Sequence, residues 1–194
     1  MKRIAIGAAL ALVMTLAPAL VSAQDHVTVG AFADYLRLNA ADNANMWGLG
    51  GRFGFYVHKN VALEANMSYD FERNFTSIST SGGTTTFLTT SLRTLHATFG
   101  PKLEFGSNNA KVFVVAKGGF ANFSVSGAAA APGFTGAIST FGTGNTDGAF
   151  YPGGGFELYA GPIGVRLDAG DLMYWDDFGV HHNLSVQIGP QFRF

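Results

Sequence analysis

Apolar side chains recur at every second position along most of the chain after its first 25 residues. The run VALEANMSYDF puts Val61, Leu63, Ala65, Met67, Tyr69 and Phe71 on one face and Glu64, Asn66, Ser68 and Asp70 on the other. LHATFGPKLEF, MWGLGGRFGFYV and IGVRLDAG repeat the arrangement, with His96, Lys102 and Glu104, then Arg52, then Arg166 and Asp168 on their polar rows. KVFVVAKGGF sets Lys117 opposite Val112, Val114, Ala116 and Phe120, and AFYPGGGFEL sets Tyr151 and Glu157 opposite Phe156 and Leu158. The closing stretch LSVQIGPQFRF alternates to its last residue, Phe194. A period of two is the mark of a strand with one apolar and one polar face. It predicts eight strands, over about 26–38, 46–57, 61–75, 86–105, 111–125, 148–159, 163–174 and 183–194. The first is ambiguous, because Phe32 and Leu36 share parity with Asp34; we assign Val27, Val29, Ala31, Ala33 and Tyr35 to its outward face.

The connections alternate in length. HKN, GSNNA and AGP are short turns between strands two and three, four and five, and six and seven. NAADNAN, TSISTSGGTTT, the stretch 126–147 and WDDFGVHH are read as longer loops at the opposite end. Short turns at one end and long loops at the other are typical of transmembrane barrels, with the turns in the periplasm. This expectation places both ends of the processed chain in the periplasm.

Composition decides which face meets water. Charged residues make up 13% of the chain, against about 25% in ordinary soluble domains. The first 23 residues have basic Lys2 and Arg3, an apolar run, and small residues at Val21-Ser22-Ala23, the plan of a cleavable export signal. The barrel domain is then residues 24–194. No later segment has the 18 or more consecutive apolar residues of a membrane helix, and there is no cysteine for a disulfide. No basic patch points to nucleic acid. An exported chain poor in charge and without a spanning helix is expected to cross the membrane as a closed barrel, apolar face outward. The fold class expected is all-β, an eight-stranded antiparallel up-and-down transmembrane barrel.

The polar rows then line the lumen. They bring Arg52, Lys102, Lys117 and Arg166 against Glu64, Asp70, Glu104, Glu157 and Asp168. Eight strands leave an interior that side chains can fill, so the expectation is a plugged lumen without a wide pore. Aromatic girdles are expected from Trp47, Phe71, Phe75, Tyr174 and Trp175 at the loop ends, and from Phe55, Phe105, Tyr159 and Phe194 at the turn ends.

With this pattern, the hairpin VHKNVALEANMSY, the segment FGPKLEF and the terminal SVQIGPQFRF, the chain resembles the small bacterial outer-membrane β-barrel proteins of the OmpA/OmpX-like superfamily. The resemblance covers Asp25 to Phe194. It implies that Ile188, Phe192 and Phe194 form the signal read by the barrel-assembly machinery. It departs from the two-domain plan, because no peptidoglycan-binding segment follows the barrel.

Candidate chemistry is sparse. His96 faces inward near Glu104, but no serine stands at a spacing for a Ser/His/Glu hydrolase, and a hydrogen-bonded lumen histidine is the simpler reading. Asp176, Asp177, His181 and His182 group in WDDFGVHH without a defined metal-ligand spacing. The stretch 126–146 has no charged residue and carries Phe134, Ile138 and Phe141; loops of this length are often functional. The Gly-rich GLGGRFG and PGGGFE lie in strands and are not phosphate loops. The sequence therefore suggests a monomeric outer-membrane barrel with a structural or surface-interaction role in membrane integrity or adhesion. It is expected to contact membrane lipid, lipopolysaccharide and a possible surface ligand through its outer loops, with no cofactor, metal or catalytic residue. The alternatives are a narrow channel for small solutes and, third, a lipid A-modifying barrel enzyme.

Overall fold

The computed structural model describes residues 26–39, 44–81, 84–127, 146–176 and 179–194. The expected export signal, most of the stretch 126–147, and Asp177 lie outside the described residues. Ten strands follow in order: β1 (Val27–Leu38), β2 (Ala44–His58), β3 (Val61–Ser81), β4 (Thr84–Gly106), β5 (Ala110–Gly127), β6 (Thr146–Ala160), β7 (Ile163–Asp171), β8 (Met173–Asp176), β9 (Gly179–His181) and β10 (Asn183–Arg193). Successive strands pair antiparallel from β1 to β7, and β10 pairs with both β7 and β1, closing the ring.

Two interruptions explain why ten elements make eight barrel strands. β7 and β8 both pair with β6 and are one strand broken at Leu172. Asn183 clamps that break: the Leu172 amide donates to the Asn183 carbonyl at 2.7 Å, and Asn183 Nδ2 donates to the Leu172 carbonyl at 2.9 Å. Beyond it, β8 and β9 form a hairpin through Tyr174–His181, Trp175–Val180 and Asp176–Gly179.

The ring leaves the outside apolar. Trp47 is 63% exposed and Ile188 52%, and Leu49, Phe53, Phe99, Val114 and Val165 stand beside them on the outer face. So large an exposed apolar surface has no place in water; it is the surface of a barrel in lipid. Two inward glycines on β2 and β6 serve the inside. A side chain at Gly50 would occupy the Phe32 ring, and one at Gly155 would come within 2.9 Å of the Phe113 ring. The Gly-rich segments thus make room for large inward rings.

Three expectations are corrected. TSISTSGGTTT is not a loop: β3 and β4 stay in register from Arg73–Leu92 to Ser81–Thr84, after a bulge at 70–73. Thr and Ser sustain a strand where neither face need be apolar. WDDFGVHH is a hairpin, as above. Ala31 and Ala33 face outward, and Val27 shares their face opposite the exposed Phe55, where it is covered to 6% exposure. Tyr159 and Tyr174 are not girdle residues: they point into the lumen at 5% and 0% exposure, while Trp47, Phe55, Phe71, Phe105 and Trp175 are exposed.

Candidate functional site in the barrel lumen

The lumen is stacked in layers. Nearest the short turns, Glu104 of β4 gathers three donors. Tyr56 Oη donates to its Oε1 at 2.5 Å, Lys111 Nζ to its Oε2 at 2.7 Å, and Lys102 Nζ lies 2.5 Å from Oε1. Beside it, Tyr159 donates to Glu157 Oε2 at 3.1 Å and itself accepts from Gln191.

Arg166 organises the next layer. Its guanidinium grips Glu64 with two nitrogens, Nη1 to Oε2 at 2.5 Å and Nη2 to Oε1 at 3.0 Å. The same nitrogens reach Glu157 at 3.1 Å and Asp168 at 2.5 Å. Such two-pronged pairing is the strongest an arginine makes with a carboxylate. Register explains part of it: Glu157 on β6 lies directly across from Arg166 on β7, and Asp168 is two residues further along the same inward row. Glu64 reaches from β3 on the far wall. Lys117 pairs with Glu64, Lys102 lies 2.8 Å from Glu157, and Tyr151 donates to Asp168 at 2.8 Å. The Phe113 ring stacks on the guanidinium at 3.9 Å.

These residues form one connected network of four cations, Lys102, Lys111, Lys117 and Arg166, with four carboxylates, Glu64, Glu104, Glu157 and Asp168. Seven of the nine lumen residues anticipated from sequence belong to it. Arg52 and Asp70 are buried but stand apart. Arg52 donates to Gln187 at 3.0 Å and covers the Phe32 ring at 4.7 Å, and it makes no ion pair among the described residues. Asp70 lies higher, beside His96 and Asp34. Lys111, which replaces Arg52 in the network, shares the parity of Lys117, so the signal was present on its strand. The layer of Asp34, Asp70 and His96 gave no such signal, since it draws on three strands.

Above this layer the lumen turns apolar. Leu36, Leu38, Ala44, Met46, Leu92, Phe123, Leu172 and Tyr174 pack into a buried plug at the long-connection end. The polar lining expected throughout is thus corrected: the inward rows of β1 and β2 become apolar in their positions at this end, whereas that of β10 stays polar at Asn183 and Ser185.

The remaining candidates lie apart among the described residues. His96 lies between Asp34 and Asp70 rather than beside Glu104. Asp176 and His181 pair across the β8–β9 hairpin at 3.0 Å, whereas His182 pairs separately with Asp171 at 2.5 Å. Phe192 and Ile188 face outward on β10, and the Phe194 backbone closes against His26 and Val27 at 2.7–3.2 Å.

No protein-family model matches the sequence, and comparison with curated proteins gives no match. Among solved structures, the chain is similar to Ail, the attachment invasion locus protein of Yersinia pestis, at 12% identity and a TM-score of 0.53, over 88% of this chain and 97% of that one. The same protein in complex with the heparin analogue sucrose octasulfate gives 14% identity, a TM-score of 0.50 and the same coverage. Neisserial surface protein A is similar at 14% identity and a TM-score of 0.52, over 87% of this chain and 97% of that one. The fold is therefore that of the small, eight-stranded outer-membrane β-barrels.

Proposed function

We propose that this chain is an integral protein of the bacterial outer membrane with a structural and surface-contact role, in membrane integrity or adhesion, and no transport or catalytic task. One observation carries this reading. The lumen is closed twice, by a charge-balanced network and by an apolar plug, so the barrel offers lipid on its wall and contact surface at its ends. In this reading the short turns and both chain ends lie in the periplasm, as in other barrels with this asymmetry of connections. The long connections then face outward, where lipopolysaccharide and any ligand on another cell would meet them.

The sealed lumen predicts that the monomer in planar bilayers gives no large, long-lived conductance step. Steady openings of fixed size would favour the narrow channel instead. The outward Ile188, Phe192 and Phe194 support recognition of β10 by the barrel-assembly machinery. Phe194 contributes one ring at the rim, so its removal should cost the finished barrel less than about 2 kcal/mol. Deleting it should nevertheless sharply reduce the amount in the outer-membrane fraction. Unchanged outer-membrane levels would remove this role.

A further inference from the structure

Between the charge network and the apolar plug, Asp34 of β1, Asp70 of β3 and His96 of β4 converge, all buried, with one ligand atom from each within 4.8 Å of the others. His96 Nε2 lies 3.2 Å from Asp34 Oδ2, and Nδ1 lies 3.6 Å from Asp70 Oδ2. A glycine makes the meeting possible. Gly48 of β2 stands directly between Asp34 and Asp70 in the register, and a side chain there would fall 2.5 Å from Asp70 Oδ1. The Asp70 carboxylate therefore occupies the space above Gly48, aimed across β2 toward Asp34.

The cluster is electrostatically unfinished. Apart from the two His96 contacts, neither Asp70 oxygen nor Asp34 Oδ2 has a partner among the described residues. Ser68 Oγ, directly across from His96 and on the inward row of Asp70, is also buried and unpartnered. Asp34 Oδ1 accepts from Ser185 at 3.2 Å. Buried carboxylates without partners are costly. Even a protonated His96 leaves the group with one net negative charge. The network below is balanced within itself, and Arg52 is committed to Gln187.

We propose that Asp34, Asp70 and His96 bind one divalent transition-metal ion of the zinc class. Two carboxylates and a neutral imidazole cancel its charge. The mixed oxygen and nitrogen set suits zinc better than calcium or magnesium, which favour oxygen alone. Ligands about 2.0–2.2 Å from a tetrahedral ion stand about 3.3 Å apart, close to the separation of His96 and Asp34. Ser68 supplies an oxygen beside the site for a fourth position. Because the plug covers the site, the ion is trapped as the barrel closes and stays until it opens.

The test uses the whole chain, refolded from urea into detergent micelles with zinc chloride and then dialysed against a chelator. Metal content is read by mass spectrometry, and folding by the mobility difference between unheated and boiled samples. About one zinc per folded chain should survive dialysis and be lost on boiling. Asp70→Asn and His96→Gln, each close to isosteric, should retain less than about a tenth as much while keeping the folded mobility. Should either fail to fold, zinc present during refolding should raise the urea midpoint of the wild type and not that of the other variant. His181→Ala with His182→Ala should keep the ion. Folded wild type retaining no more zinc than Asp70→Asn, or zinc lost with the His181 and His182 pair, would overturn the proposal.

Discussion

Replacing Arg166 with methionine lowers the stability of the folded barrel by about 3–5 kcal/mol. Arg166 is fully buried and touches three carboxylates, Glu64, Glu157 and Asp168, within 3.1 Å. Methionine keeps most of the volume against Phe113, so packing changes little and charge changes most. Only Lys102 and Lys117 then remain to face those acids, and neither reaches all three. Removing one member of a buried charge group costs more than the group contributes, because the partners stay behind without water. Urea titration in micelles, followed by tryptophan fluorescence, reads the loss. The double variant Arg166→Met, Glu64→Gln should recover part of it, since one stranded charge is gone and the two sites are in contact. A single-variant loss under about 1 kcal/mol would show that water reaches this layer.

The second large effect lies on the outer wall. Ile188→Arg should destabilise the barrel in phospholipid vesicles by about 2–4 kcal/mol, whereas Leu184→Arg costs about 0–1 kcal/mol. Ile188 sits at the middle of β10, exposed, between Ala33 and Leu167 of the neighbouring strands. Leu184 lies one residue from the long-connection end of the same strand, on the same face. In water both substitutions would be nearly neutral, because an exposed arginine replaces an exposed aliphatic side chain. The difference between them is therefore a measure of depth in lipid. Equal effects at the two positions would deny that this wall spans a membrane.

The lipid-facing wall was legible because lipid imposes the simplest rule. Every outward position in the spanning zone must be apolar, so Leu63, Met67, Phe99, Leu103, Val165 and Ile188 write it in period two. The inward rows are freer. They carry charge at Arg166 and Lys102, and turn apolar at Leu36, Met46 and Phe123, where a plug rather than water fills the space. Inward apolar residues blur the alternation, which is why the face of β1 was hard to assign. The β3–β4 hairpin was missed beyond Phe75 for the opposite reason: its Ser and Thr residues carry no apolar row. The meeting of Asp34, Asp70 and His96 was not legible at all. It depends on the alignment of β1, β2, β3 and β4, with Gly48 as the gap, and single-strand periodicity does not encode register between strands.

The seam between β1 and β10 has a kinetic consequence. It joins His26 to Phe194 and Leu38 to Asn183, pairs far apart along the chain. Loop-closure entropy must be met before those contacts form, so the ring is among the slowest classes of topology to complete. Until β10 is synthesised, β1 has an open edge, and every shorter intermediate is a curved sheet able to pair with a neighbouring chain. The barrel is thus an all-or-nothing object whose vulnerable period ends with its last strand. A catalyst that holds β10 and presents it to β1 would shorten the step on which aggregation competes with folding.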